Sequence, residues 1–231
     1  MAIKNPWLDR YSSEPMQEYM RYALTHACGA ATIAIDAVAS DIQSSGGELM
    51  FINGFPYLDA GDAAYDISAE LPYATWAVDT AYTTMGTASE VVGSDGNHYV
   101  CILAHTSAVA NEPGVGTTWA TYWKQLKRWA KAAAGDILPD GYSRYYLVCT
   151  LYDGTLRIFN AYDPENPNSG VLHIPWYDPE RYCPLGFLLV ANASAANFIL
   201  GTTLLSAAGI TDTYIDVIGR VYPNASFRIK N

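Results

Sequence analysis

Positive charge is scarce in this chain: 13 Lys and Arg stand against 23 Asp and Glu in 231 residues, a net charge of −10. A surface with that excess repels phosphate backbones and has no counterion-release route to DNA, so nucleic acid is not an expected partner. The basic cluster Lys124, Lys127, Arg128 and Lys131 reads as the solvated face of a short helix. Cysteine is scarce too. The four cysteines, at 28, 101, 149 and 183, make no CxxC motif and no paired zinc ligand set, so they read as buried thiols. No run of 18 apolar residues occurs and residues 1–15 hold no apolar core of signal-peptide length. Synthesis in a cytoplasm without membrane insertion is expected.

Catalytic signatures are absent as well: the chain has no GxSxG, HExxH or P-loop. Histidines 26, 98, 105 and 173 show no metal-ligand spacing. Asp59, Asp62 and Asp66 lack the alternation and closing Glu of a calcium loop and read as turn acids. Asp163, Glu165, Asp178 and Glu180 cannot be paired across a cleft from sequence. The expectation is no enzyme, no cofactor and no metal.

What the chain has is apolar bulk and tyrosine: half of it is hydrophobic, with 18 Tyr and 6 Trp against 6 Phe. Amphipathic aromatics suit half-buried sheets and wet interfaces. Ser13-Glu14-Pro15 reads as a helix start, and Met16, Met20, Ala23, Ala27, Ala31, Ala34, Val38 and Ile42 form a stripe at spacings of three and four. A helix is therefore expected towards residue 44, with Gly29 weakening its middle and residues 32–35 leaving the second half open to a strand reading. The Ala and Met stripe allows helices to approach closely, so residues 1–46 are assigned to docking or to a homo-oligomer, a trimer in the first instance.

After residue 47 the signals become short strands between turn residues. Strands are expected at 48–52, ended by Asn53-Gly54, and at 64–69. A hairpin should run through 145–151 and 155–159 around Asp153-Gly154. Further strands are expected at 185–191, 198–200, 214–221 and 226–229, and a helix at 124–134 closed by Gly135.

Residues 76–123 carry Trp76, Ala81-Tyr82, Gly86, Val91, Asp95-Gly96, Tyr99, Thr106, Pro113-Gly114 and Trp119 in order. This pattern resembles the small chitin-binding-type modules appended to bacterial chitinases, which also recur in phage tail and fibre proteins. Its Asp95-Gly96 turn, flanked by strands, fits a compact hairpin unit whose core is Tyr82, Tyr99 and Trp119. Where that family carries an exposed aromatic pair, this sequence has Ala104-His105, which leaves Trp76, His105, Tyr122 and Trp123 as the candidate carbohydrate-binding residues.

Residues 137–223 hold Leu138-Pro139-Asp140-Gly141-Tyr142, the Gly154 hairpin, Pro184-Leu185-Gly186-Phe187, Gly201-Thr202-Thr203 and 208–214. They resemble a β-domain of phage virion proteins, in which an earlier strand pair matches residues 47–68. The resemblances together imply a mainly β chain: an N-terminal helical segment (1–46), the first part of a β-sandwich (47–74), an inserted carbohydrate-binding-like module with a linking helix (75–135) and the remainder of the sandwich (136–231). The function they imply is that of a surface protein of a bacteriophage virion. The first reading is a fibre, spike or tail-tip component contacting host glycans; the alternative is a capsid decoration protein binding neighbouring viral subunits.

Overall fold

The computed structural model describes residues 23–29, 32–35, 41–70, 74–84, 90–125, 133, 135–163, 166–175 and 177–217. Its largest element is an antiparallel sheet of four strands in the order Leu156–Asn160, Ser143–Thr150, Cys183–Asn192 and Ile210–Asp216. The two central strands are apolar almost without interruption because both faces of this sheet are covered. Successive side chains point to opposite faces. Tyr146 and Val148 enter one hydrophobic core, and Leu147 and Cys149 enter another. In the neighbouring strand Leu185 and Leu188 reach the same core although they stand three positions apart, an odd offset that alternation would send to opposite faces. The register explains this, since Val148 pairs with Gly186 and Cys149 with Pro184, leaving Leu185 as the extra residue of a bulge.

The first core is shared with two small antiparallel sheets from the N-terminal part of the chain. One contains His26–Ala27, Leu49–Ile52 and Phe55–Leu58; the other contains Ile33–Ile35, Ile42–Ser44 and Asp62–Tyr65. Ile33, Ile42, Met50, Ile52 and Ile67 pack there with Leu138, Leu188 and Phe198. These sheets and the four-stranded sheet are called the body below. Asn53-Gly54 turns its first hairpin with both residues at positive φ, 51° and 82°, the backbone a tight two-residue turn demands.

Residues 74–84 and 90–125, called the module below, form a sheet in the order Trp123–Gln125, His98–Cys101, Glu90–Val92 and Ala74–Thr75, with a second pair formed by Ala81–Tyr82 and His105–Thr106. All these pairings are antiparallel except that of Ala74–Thr75 with Glu90–Val92. The expected turn at Asp95-Gly96 is present: Asp95 Oδ1 accepts the Asn97 N–H at 3.0 Å, and Asp95 Oδ2 accepts the Tyr99 hydroxyl at 2.6 Å. Gly114, at φ 75°, lies against that same hydroxyl, and an added Cβ would stand 2.1 Å from it.

Two expected helices are corrected. Residues 26–27, 33–35 and 42–44 are strands, so the helix predicted towards residue 44 is not what this stretch forms. Ile33 pairs with Ser44 and Ile35 with Ile42, a long-range pairing that buries Ile33 and Ile42. A stripe built mostly of Ala offers a helix far less apolar area to bury, and the β-branched residues favour the sheet. Ala27 is buried in the first of these strands and Ala34 lies in the second, whereas Met16, Met20, Ala31 and Val38 lie outside the described residues. The helix expected at 124–134 begins instead as the strand Trp123–Gln125, paired with His98–Cys101, and its remainder falls largely outside the described residues. Smaller shifts follow the same logic. The strand expected at 64–69 is Asp62–Tyr65 followed by a 3₁₀ turn, Ile67–Glu70, and the one expected at 214–221 is Ile210–Asp216; residues 226–229 lie outside the described residues.

Gly186 marks a close strand approach in the body. An added Cβ would stand 2.5 Å from the Ile215 carbonyl oxygen and 2.9 Å from Ile33 Cδ1. Backbone cannot yield as a flexible side chain can, so Gly186→Ala is expected to destabilise the protein by about 1–3 kcal/mol. Urea unfolding of the variant beside the parent checks this, and an unchanged midpoint would contradict it.

Candidate functional site

The four candidate carbohydrate-binding residues are brought close together, but largely facing inward. Trp123 is 1% exposed, and its Nε1–H donates to the Asn111 carbonyl at 2.8 Å. Tyr82 meets the Trp123 ring at 4.9 Å between centroids, and His105 meets it edge-on at 5.2 Å. Tyr122 packs on His105 at 4.5 Å. Trp123 is thus the centre of the module's core and offers no face to a sugar. Trp76 and Tyr122 are half-buried against that core, as is Trp119, which meets Tyr99 edge-on at 5.6 Å. The expected contact role of Trp123 is therefore corrected to a core role, while Trp119 packs against the core as expected. The physical reason is register: in the strand Trp123–Gln125, Trp123 pairs with Cys101 and turns inward with it. Tyr82 and Tyr99 are buried, as a core role requires.

Cys101 and His105 approach as a nucleophile and base would, with Sγ 3.7 Å from Nδ1. The chemistry does not follow. His105 Nδ1 lies 2.8 Å from the Leu103 carbonyl, which can only accept, so Nδ1 carries the proton and cannot take one from the thiol. Burial also pushes the Cys101 thiol up, away from the reactive thiolate. The turn acids are equally committed. Asp59 accepts from Thr150 and Gly61, Asp62 from the Ala64 N–H and Asp66 from Ser68, and no group of three potential metal ligands occurs among the described residues.

The strongest electrostatic feature lies where module and body meet. Glu90, in the module, is 3% exposed. Its Oε1 accepts Arg181 Nη1 at 2.7 Å and a short hydrogen bond from the Tyr182 hydroxyl, while Oε2 accepts Arg157 Nη2 at 3.2 Å. Arg157 is 4% exposed, and the Arg181 guanidinium also stacks over the Tyr182 ring at 5.3 Å. A second ion pair crosses the same joint, from Lys124 Nζ to Glu180 Oε2 at 3.4 Å. Partly exposed, it contributes little beside the first.

These contacts frame a cleft of about 340 Å³ between the module and the body. Tyr57 and Tyr152 stand on its body side, Val100 and Lys124 on its module side, and Asp178, Glu180 and Arg181 line it as well. Burial raises the Asp178 carboxyl to about 6, against the pull of Lys124, the Glu180 N–H and Arg181. Sequence reasoning missed this joint. Arg157 between Leu156 and Ile158, a charge inside an apolar strand, is the signal that pointed to a buried partner.

A second buried network stays within the body. Arg144 holds Asp136 through bonds of 3.0 and 2.9 Å, and the Tyr146 and Tyr162 hydroxyls donate to the same carboxylate at 2.8 and 3.0 Å. Asn168, Pro167 and Ile137 accept the remaining Arg144 donors. The network is satisfied internally and acts as a structural fastener.

Comparison of the chain with protein-family models, with curated proteins and with solved structures finds no match.

Two outcomes follow from the joint. Glu90→Gln removes the buried charge that Arg157 and Arg181 share, and a loss of about 3–5 kcal/mol in denaturant unfolding is expected, partly restored by adding Arg157→Met. A loss under about 1 kcal/mol would show that the carboxylate does not hold the joint. For Asp178 the folded pKa lies above the ordinary aspartate value, so its contribution to stability is fully present below about pH 4 and is lost as pH rises through about 6. Asp59 is raised by burial too and acts in the same direction. Asp178→Asn keeps the acceptor for the Glu180 N–H and removes the buried charge. It is expected to raise the melting temperature at about pH 7.5 and to flatten its change between about pH 7.5 and 5. An unaltered pH profile would contradict the assignment.

Proposed function

We propose that the chain is a non-enzymatic structural protein of a bacteriophage particle, a fibre, spike or tail-tip component that works by repeated contact with host-surface glycans. The proposal draws its class from the two sequence resemblances and its mechanism from one observation, the burial of Glu90 between Arg157, Arg181 and Tyr182. Such a joint fixes the orientation of the module on the body, because any relative movement exposes unpaired buried charge. A particle component needs that property: each site binds weakly, many copies bind together, and avidity requires every copy to present its surface at a set angle. The arrangement of one β-sandwich interrupted by an inserted module is part of the proposal. It is supported by Ile52, Tyr65 and Ile67, which precede the module, sharing a core with Leu138, Leu188 and Phe198, which follow it. A homo-oligomer, a trimer in the first instance, stays with this reading, but not through a helical stripe over residues 26–44, whose strands pack into the body.

One observation favours the second reading, a capsid decoration or virion-stabilising protein. Trp123, a candidate for sugar stacking, is spent on the module's own core. A protein that binds neighbouring viral subunits would use the module as a rigid spacer and would require no exposed ring.

Antibodies against the purified chain, applied to intact particles and viewed by electron microscopy, separate the readings. Label at fibres or tail tip is the expected result. Label spread over the capsid lattice would replace it with the decoration reading, and unlabelled particles whose dissociated proteins also lack the chain would overturn both.

A further inference from the structure

We infer that the cleft between module and body binds an uncharged, polyhydroxylated ligand of hexose size. The inference rests on the glycan-contact reading and moves the contact from the module's outer aromatics to the joint.

Size and shape come first. About 340 Å³ lies at the small end of small-molecule sites and suits one sugar ring better than an extended chain. Tyr57 and Tyr152 then supply two rings whose centroids are 5.8 Å apart and whose planes meet at 45°. A sugar ring carries C–H groups that pack on aromatic faces such as these. The Tyr152 hydroxyl is buried and has no hydrogen-bond partner among the described residues. A buried donor is ordinarily satisfied, and a ligand oxygen in the cleft would satisfy this one.

The charges select against ions. Among the residues that line the cleft, Lys124 and Arg181 are balanced by Asp178 and Glu180, so it has no net charge with which to prefer a phosphate or an amine. It does hold fixed donors beside fixed acceptors. Adjacent sugar hydroxyls, each both donor and acceptor, match that mixture. Arg181, which lines the cleft, is held in place by its bond to Glu90, so this donor needs little ordering on binding.

The test uses the full chain with free N-acetylglucosamine, galactose and rhamnose in separate NMR titrations, and an array of bacterial capsular and lipopolysaccharide glycans beside them. Two variants are compared with the parent after thermal melts establish that they are folded. Thr84→Trp fills the cleft from its exposed rim, and Tyr152→Phe removes only the orphan hydroxyl. At least one free sugar is expected to bind the parent in the millimolar range, with Thr84→Trp weakening it by at least about tenfold and Tyr152→Phe by about fivefold. Failure of all three sugars to bind, or equal binding by parent and variants, would overturn the inference. If both variants then keep the parent's array signal, only the cleft assignment falls and glycan contact stands. If the parent gives no array signal, the glycan-contact reading falls with it.

Discussion

The structure depends on one carboxylate. Glu90 sits where the sheet of residues 74–125 meets the body, buried, with two arginines and a tyrosine hydroxyl around it. Removing these charges from water costs several kcal/mol per ion, and that cost is recovered only while the geometry is kept. The pairing therefore adds little net stability over an apolar substitute of the same shape. What it adds is direction. A greasy joint tolerates sliding by an ångström or two, whereas this one loses its counter-charges if the module rotates. Arg181, one of the partners of Glu90, also lines the neighbouring cleft beside Asp178.

The body can bear such a joint because its sheet is covered on both faces. The first core, with Ile42, Met50, Leu188 and Phe198, ties the N-terminal small sheets to the four-stranded sheet. The second, with Leu147, Phe159, Tyr177 and Tyr182, lies on the opposite face. Tyr182 belongs both to that core and to the Glu90 cluster, and Arg157 lies beside Ile158 on a strand of the same sheet. The charged joint is thus seated on packed apolar residues. Thr25 adds a further tie, donating to the Pro179 carbonyl at 2.6 Å and accepting the Asn53 N–H at 2.9 Å.

Legibility in the sequence followed the range of the interaction. Asn53-Gly54 and Asp95-Gly96 were readable because a positive φ is a local demand that glycine meets at no steric cost. The long central strands were readable as apolar runs. The N-terminal stretch was misread because Ala and Ile residues at helical spacing also serve short strands, and only the pairing of Ile33 with Ser44 decides between them. Trp123 was read as an exposed contact because the strand register that turns it inward appears only once it is paired. The joint itself was out of reach, since Glu90 finds Arg157 and Arg181 at separations of 67 and 91 residues. Composition could say that Arg157 wanted a partner but not which one.

The central claim is that module and body form one mechanical unit through this joint, and calorimetric unfolding of the intact chain tests it most directly. If the joint couples them, the two melt together in a single transition whose calorimetric and van't Hoff enthalpies agree. Two resolved transitions, one of them assignable to the module by the fluorescence of Trp76, Trp119 and Trp123, would contradict the account.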